Sequence, residues 1–198
     1  MNTNRLEAFS DGVIAIIITI MVLDLKIPHQ ENISALLPLL PVFLSYILSF
    51  IYIGIYWNNH HMLYTCHKVT GPILWANLHL LFWLSLFPFA TGWMGENHFS
   101  ATPTAFYGFV LIMASIAYLI LQKNIIISQG SNSILQKAIG GDYKGKISTL
   151  LYLFAIAIAY LSPWISQGLY VFVAFIWLVP DKRIEQALFE KNNFIRKK

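Results

Sequence analysis

Three observations indicate that the sequence encodes an all-α, polytopic membrane protein with six transmembrane helices. Hydrophobic residues make up 57% of the 198 residues and charged residues only 11%, whereas soluble domains are about one quarter charged. Apolar stretches long enough to cross a hydrocarbon core of about 30 Å recur along the chain. The polar segments between them are sorted by charge, with nearly all lysines and arginines in segments that would share one side of a membrane.

The first three helices follow from the N-terminal half of the sequence. The first covers residues 6–27 and ends in "MVLDLKIP", which lacks the small residues of a signal-peptide cleavage site, so we interpret it as a permanent helix. The second covers residues 41–64. The third, "GPILWANLHLLFWLSLFPFATGW", places Pro72 in its first turn, where a missing backbone N–H is tolerated. We expect the third to be one continuous helix.

The last three helices are marked mainly by cap-and-proline pairs. The fourth starts at Thr102-Pro103 and ends near residue 121, and the fifth covers residues 143–161. Ser162-Pro163 then provides a cap and a first turn for the sixth, which ends at residues 179–180. An even number of spans places both termini on the same side of the membrane.

Basic residues divide unequally between the two sides. If the N-terminus is cytoplasmic, only Lys26 of the 13 lysines and arginines lies outside, which is the positive-inside pattern. We therefore expect a multi-pass membrane protein with both termini cytoplasmic: one membrane domain, residues 1–180, and a basic tail, residues 181–198. Because this tail follows a span, we expect it to contact lipid headgroups rather than nucleic acid. The inner basic residues are Arg5, Lys68, Lys123, Lys137, Lys144, Lys146, Lys182, Arg183, Lys191, Arg196, Lys197 and Lys198.

One face of the first helix carries a regular apolar stripe. Ile16, Ile20 and Leu23 follow the i, i+4, i+7 rule, and Thr19 lies about 60° to one side. Asp11 lies about 140° from Ile16, so we expect its carboxylate to point into the protein. The residues alone leave open whether the stripe lines a pore or packs against other helices. They also leave open whether Asp11 is structural or carries protons.

A partner for Asp11 must come from another helix or subunit, because a charge at membrane depth is costly unless it is paired. "YWNNHH" places Trp57, His60 and His61 near the cytoplasmic end of the second helix, and "ANLHLLFWLSLFPF" places Asn77 on the third. We expect the histidines to hydrogen-bond the carboxylate. Because adjacent side chains on a helix point about 100° apart, His60 and His61 cannot share one metal face, and we expect no metal site.

The sequence carries no recognisable enzyme motif. GxSxG, HExxH and a phosphate-binding glycine loop are all absent, so we expect neither an enzymatic activity nor a cofactor. The carbonyl filter TVGYG of the usual potassium channels is also absent. Transport by a different kind of pore, or by a carrier, remains compatible with these observations.

The first helix resembles that of a known family. Arg5, Phe9, Ser10 and Asp11 form the pattern Arg-x-x-x-Phe-Ser-Asp, and "YWNNHH", "NLHLLFWLSLFPF" and "WLVPDKR" accompany it in the second, third and sixth helices. With these motifs the sequence is similar to the prokaryotic relatives of the endosomal and lysosomal transmembrane potassium channel, a family that lacks the usual potassium-channel filter.

The resemblance implies a potassium-permeable cation channel, homotetrameric in the lipid bilayer, whose first helices line a central pore narrowed by bulky apolar side chains. Carried over to this sequence, the constriction falls on Ile16, Ile20 and Leu23, with Thr19 as a candidate polar layer. The family's preference for K⁺ over Na⁺ varies, so selectivity is not implied. The resemblance also implies a structural polar network that braces the helices and comprises Arg5, Phe9, Ser10, Asp11, Trp57, His60, His61 and Asn77.

Two alternatives belong to other functional classes. A proton-coupled secondary transporter would use Asp11, Asp24 and the nearby histidines, but such carriers usually contain inverted repeats and helices broken at mid-membrane. The sequence shows neither feature. A membrane scaffold without transport would carry no ion flux at all. An electrical measurement on the reconstituted protein separates the three classes.

Overall fold

The computed structural model describes residues 3–60, 62–63, 69–130, 133, 135–136 and 143–178. In this part of the chain the regular structure is entirely helical, which confirms the all-α prediction. A 3₁₀ helix, Ile33–Leu39, precedes the second long helix. The α-helices are α1 (Thr3–Leu23), α2 (Leu40–His60), α3 (Gly71–Ser85), α4 (Phe87–Glu96), α5 (Ala101–Gln129), α6 (Tyr143–Ile158) and α7 (Pro163–Leu178).

Four helical segments of the described chain are long and apolar enough to cross a membrane: Thr3–Leu23, Ile33–His60, Gly71–Glu96 and Ala101–Gln129. The other two predicted helices are present as α6 and α7, each of 16 residues. At 1.5 Å per residue, the described part of each helix is about 24 Å long, compared with a hydrocarbon core of about 30 Å. They are the same two helices whose apolar stretches are shortest in the sequence.

The third predicted helix is interrupted, and the expectation of one continuous helix is wrong. α3 ends at Ser85 and α4 begins at Phe87, with Leu86 between them. Pro88 has no N–H to donate to Leu84, and its ring clashes with that carbonyl, so the helix cannot continue unchanged through this point. Instead, the N–H of Leu86 donates to the carbonyl of Trp83 over 3.3 Å, a three-residue turn that joins the two pieces.

The remaining ends differ from the predicted ones by a few residues. α1 begins at Thr3 rather than residue 6, and α5 continues to Gln129, eight residues beyond the predicted end. "QKNIIISQ" extends this helix because Ile125 is fully buried against the bundle. The basic tail, residues 181–198, lies outside the described residues.

A buried cluster of hydroxyl groups and aromatic rings joins the helices behind α1. The Tyr52 hydroxyl donates to the Tyr170 carbonyl over 2.6 Å, tying α2 to α7. The Thr91 hydroxyl donates to Ser49 Oγ over 2.6 Å, and Ser49 Oγ lies 3.0 Å from the Tyr107 hydroxyl, so α2, α4 and α5 are joined as well. Polar groups at membrane depth have no water to bind, so such internal pairing is required.

α1 lies at the side of this bundle, where it packs against α2, α3 and α4. The opposite side of α1 faces no other element of the described chain, as the exposure of its side chains shows. One face of α1 is therefore packed against the bundle, which we call the docked face, and the opposite face is left open.

Candidate pore face and polar network of α1

The docked face of α1 is defined by its buried side chains, Leu6, Ser10, Ile14, Ile17 and Met21. They recur every three or four residues, so they form one continuous stripe along the helix. All but Ser10 are apolar. This stripe fixes the rotation of α1 about its axis and, with it, the direction in which every other side chain of the helix points.

The open face of α1 contains the three residues predicted to form a constriction. Ile16 is 60% exposed, Ile20 44% and Leu23 76%. Thr19 is exposed beside them, and its hydroxyl donates to the Ala15 carbonyl over 2.8 Å. With this bond the Thr19 hydrogen is committed to its own helix, whereas the oxygen retains lone pairs that can accept a hydrogen bond or contact a cation.

A buried polar network joins α1 to α2 and α3 through Asn77. The Asn77 side-chain amide donates from Nδ2 to Ser10 Oγ over 2.9 Å, and Asn77 Oδ1 lies 2.7 Å from His60 Nε2. Because Oδ1 can only accept, the hydrogen of the second bond belongs to His60 Nε2. The Ser10 hydroxyl in turn donates a hydrogen bond to the Leu6 carbonyl over 2.9 Å. Ser10, His60 and Asn77 are thus brought together and satisfied.

Asp11 is placed differently from the expectation that it points into the protein. Its side chain is exposed in the single chain, and its Oδ1 accepts a hydrogen bond from Trp57 Nε1 over 3.1 Å. The expectation that the histidines bond the carboxylate is also wrong for His60, whose partner is Asn77. Asp11 follows Ser10 by one position, about 100° round the helix, so it lies at the edge of the docked face. There the indole ring of Trp57, on α2, reaches it.

Of the remaining residues of the predicted network, Arg5 and Phe9 do not join this hydrogen-bonded group. Arg5 is exposed and has no ion pair among the described residues, and Phe9 is 52% exposed on the same side as Ile16. His61 lies outside the described residues. In the part of the chain that is described, no group of three or more His, Cys, Asp and Glu side chains is placed to hold a metal ion.

Two further polar contacts that the sequence analysis did not predict lie outside the buried cluster of hydroxyl groups. His79 and Trp83 bond each other, with Trp83 Nε1 donating to His79 Nε2 over 2.9 Å; their i, i+4 spacing on α3 was a signal for this pair. Lys26 Nζ donates to Glu96 Oε1 over 2.6 Å, across 70 positions of sequence. No local pattern indicates that second contact, which depends on the end of α4 lying beside the end of α1.

The sequence profile described as "Endosomal/lysosomal potassium channel TMEM175" matches residues 5–88 of this chain. These residues contain most of α1 and all of α2 and α3, and therefore the whole Ser10–Asn77–His60 group. A potassium channel of Chryseobacterium sp. (strain P1-3) is 58% identical over 191 residues, which cover 96% of this chain and 100% of that protein. A potassium channel of Chamaesiphon minutus is 32% identical over 182 residues, covering 84% of this chain and 88% of that one.

A similar fold has been solved. The crystal structure of a lysosomal potassium-selective channel TMEM175 homologue from Chamaesiphon minutus superposes with a TM-score of 0.75 at 28% sequence identity, covering 90% of this chain and 97% of that chain. The human endosomal/lysosomal proton channel TMEM175 is 36% identical over 76 residues, which cover 32% of this chain but only 15% of the human protein.

Proposed function

This chain belongs to the endosomal/lysosomal potassium channel TMEM175 family, and we propose that four copies of it surround one central pore lined by α1. Like the other members of this family, the chain is a potassium-permeable membrane channel and not an enzyme. The four-fold assembly and the residues that narrow the pore are our proposal. The observation that carries it is the open face of α1, which holds Ile16, Ile20 and Leu23 while the opposite face is docked.

An open apolar face on a membrane helix meets either lipid or protein, and the pore assignment rests on the combination of regular spacing and family membership. Ile16, Ile20 and Leu23 fall within about 60° of one another at 100° per residue, so four such helices would aim three successive rings at one axis. Each ring consists of four apolar side chains. The interior of such a ring holds no water unless a hydrated ion enters it. A ring of this kind gates the pore by dewetting: the pore is closed to ions while the ring is empty of water.

The proposed constriction carries no oxygen atoms that could replace the hydration shell of an ion. Selection at such a ring depends on how easily each ion gives up water, which is less costly for K⁺ than for the smaller Na⁺. Thr19, beside the stripe, supplies the nearest side-chain oxygen, and we propose that it forms a polar layer between the rings of Ile16 and Ile20. Thr19→Val removes that oxygen at nearly constant volume.

The Ser10–Asn77–His60 group supports the pore indirectly. It anchors the cytoplasmic half of α1 to α2 and α3 with hydrogen bonds of 2.9 Å and 2.7 Å. Hydrogen bonds have direction, so they fix the rotation of a helix more narrowly than apolar packing does. We propose that this network, together with the Asp11–Trp57 bond, keeps the constriction residues aimed at the axis.

We propose that the channel lies in the plasma (inner) membrane with both termini cytoplasmic and the basic tail, residues 181–198, at the inner headgroups. The charge distribution supports this orientation, since only Lys26 of the 13 basic residues would be outside. In this orientation the Ser10–Asn77–His60 group lies toward the cytoplasm, and the end of α1 at Leu23 lies toward the outside.

Proton conduction is the competing function, because the animal relatives that match the first part of this chain are named proton channels. The deciding experiment is the purified protein in planar bilayers, with reversal potentials measured first under a K⁺ gradient at equal pH and then under a pH gradient at equal K⁺. We expect the reversal potential to follow the K⁺ gradient. A reversal potential that follows only pH favours proton transport through Asp11 and the histidines, and an absence of current favours a scaffold.

A further inference from the structure

A groove between α2 and α7 lies on the side of α2 that is turned away from α1. Leu44, Leu48 and Ile51 form its α2 wall. These three residues lie about 120–180° round that helix from Trp57, whose indole contacts Asp11 of α1. Other copies of α1, gathered round the proposed pore, would therefore not cover the groove.

The walls of the groove are mainly apolar. Leu48 and Ala174 form its floor and are buried, whereas Ile47 and Phe175 on its rims are exposed. The groove encloses about 280 Å³, which is large compared with the roughly 30 Å³ that one water occupies in the liquid, yet apolar cavities of this kind stay dry. Because α2 belongs to a segment that can span the membrane, the groove opens to hydrocarbon.

The length of the groove matches one acyl chain in one leaflet. Its α7 wall runs from Trp164 past Gln167 to Leu178. Trp164 is 69% exposed in the first turn of α7, and tryptophan side chains favour the membrane–water interface. Gln167 and Leu178 are about 16 Å apart along the helix axis, and half of a hydrocarbon core of about 30 Å is about 15 Å. The groove therefore extends from below the interface by about the thickness of one leaflet.

One polar side chain in this wall has an acceptor that the protein does not use. Gln167 is only 9% exposed, and its Nε2 donates to Met94 Sδ over 2.9 Å and to Thr104 Oγ1 over 3.4 Å. Within the described residues, Gln167 Oε1 accepts no hydrogen bond. A buried amide oxygen without a donor is destabilising, and the apolar walls exclude the water that would otherwise supply one. The free acceptor points to a ligand with a hydrogen-bond donor.

We propose that this groove binds one acyl chain of a membrane lipid, with a hydroxyl group at the head of the chain donating to Gln167 Oε1. A monoacylglycerol has this chemistry, since it carries one chain and free hydroxyl groups beside the ester. The bound chain would join α7 to α2, the helix whose Trp57 and His60 hold α1 and α3. The lipid therefore stabilises the folded channel.

Thermal unfolding of the purified channel in detergent tests the proposal. A ligand that binds only the folded state raises Tm. We expect monooleoylglycerol to raise Tm by several degrees, and methyl oleate, which has the same chain but no donor, to raise it less. Gln167→Met keeps the length of the side chain but removes the acceptor, so the two lipids should then have equal effects. A difference that persists in Gln167→Met overturns the proposal.

Filling the groove tests the position of the chain. Val171 is 40% exposed on the rim, and Val171→Trp should abolish the stabilisation by both lipids. Leu153→Trp is the matched control, because Leu153 is 53% exposed on α6 and does not line the groove; we expect it to respond as the wild type does. Undiminished stabilisation of Val171→Trp, or no stabilisation of the wild type by monooleoylglycerol, overturns the proposal. If Val171→Trp does not fold, the comparison of the two lipids in Gln167→Met decides.

A second copy of the chain is the other candidate occupant. If a neighbouring copy covers the groove, a photo-crosslinking residue in place of Ile47 should give covalent dimers in intact membranes, and this result overturns the proposal. We expect crosslinks to lipid instead. None of these measurements depends on ion current, so their failure would leave the proposed function intact.

Discussion

Replacing Asn77 with leucine tests the network that holds α1. The substitution keeps the branched shape of the side chain but removes the bonds to Ser10 Oγ and His60 Nε2, both inside the protein. Ser10 retains its bond to the Leu6 carbonyl, whereas the His60 N–H is left buried without an acceptor. An unsatisfied buried donor costs about 1–3 kcal/mol, so we expect a loss of about 2 kcal/mol in the free energy of unfolding.

Thermal unfolding of the purified channel in detergent measures this loss. In a domain of this size 1 kcal/mol corresponds to about 2–4 °C in Tm, so Asn77→Leu should lower Tm by roughly 4–8 °C. Asn124→Leu is the matched control, since the exposed Asn124 amide bonds only the Ile120 carbonyl of its own helix. Ser10→Ala should add little to Asn77→Leu, because both remove one shared bond. If Asn77→Leu lowers Tm no more than Asn124→Leu, the bracing role is refuted.

Three further predictions concern assembly, packing and topology. Asp11→Asn and Trp57→Phe each weaken or remove the 3.1 Å bond between them, so both should lower the yield of assembled channel on size-exclusion chromatography, and the double variant should be no worse than the more damaging single one. Gly108→Ala should lower the free energy of unfolding by about 1–3 kcal/mol in thermal denaturation, because its new methyl group would overlap the Tyr170 hydroxyl; Gly168→Ala, with open space, should not, and equal effects would contradict the packing described. On a Cys66→Ser background, an impermeant thiol reagent added outside intact cells should label the variants Glu31→Cys and Asn97→Cys but not Lys144→Cys. Labelling of Lys144→Cys from outside would contradict the proposed orientation.

The fold was predictable to the extent that it depends on helix length and hydrophobicity. Six apolar segments gave the helices in their observed order, because a membrane helix must satisfy its backbone within itself. The interruption at Leu86 was missed although Pro88 was visible. A proline in a membrane helix breaks it only where the surroundings accept the broken geometry, and here the buried ring of Phe87 fills the junction against Tyr52, Tyr56 and Tyr107.

The candidate site was predictable where one helix determines it and not where two helices meet. The spacing of Ile16, Ile20 and Leu23 identified the face that the structure leaves open. The sequence analysis paired Asp11 with the histidines, whereas in the structure Trp57 bonds Asp11 and Asn77 bonds His60. Choosing among these partners requires the relative rotation of the helices. The Lys26–Glu96 pair was missed for the same reason. Its two residues are joined by the approach of two helix ends, which no pattern along the chain records.

The central claim is that the open face of α1 lines the pore, and the reversal potential of Ile16→Asn tests it most directly. Under K⁺ on one side and Na⁺ on the other, the amide should wet the Ile16 ring, increase the current and move the reversal potential toward zero as discrimination falls. Val22→Asn is the control: Val22 is 44% exposed on the same helix but points about 120° away from Ile16. We expect it to leave the reversal potential unchanged. An unchanged reversal potential at Ile16→Asn, or an equal shift in both variants, would contradict the assignment of this face to the pore.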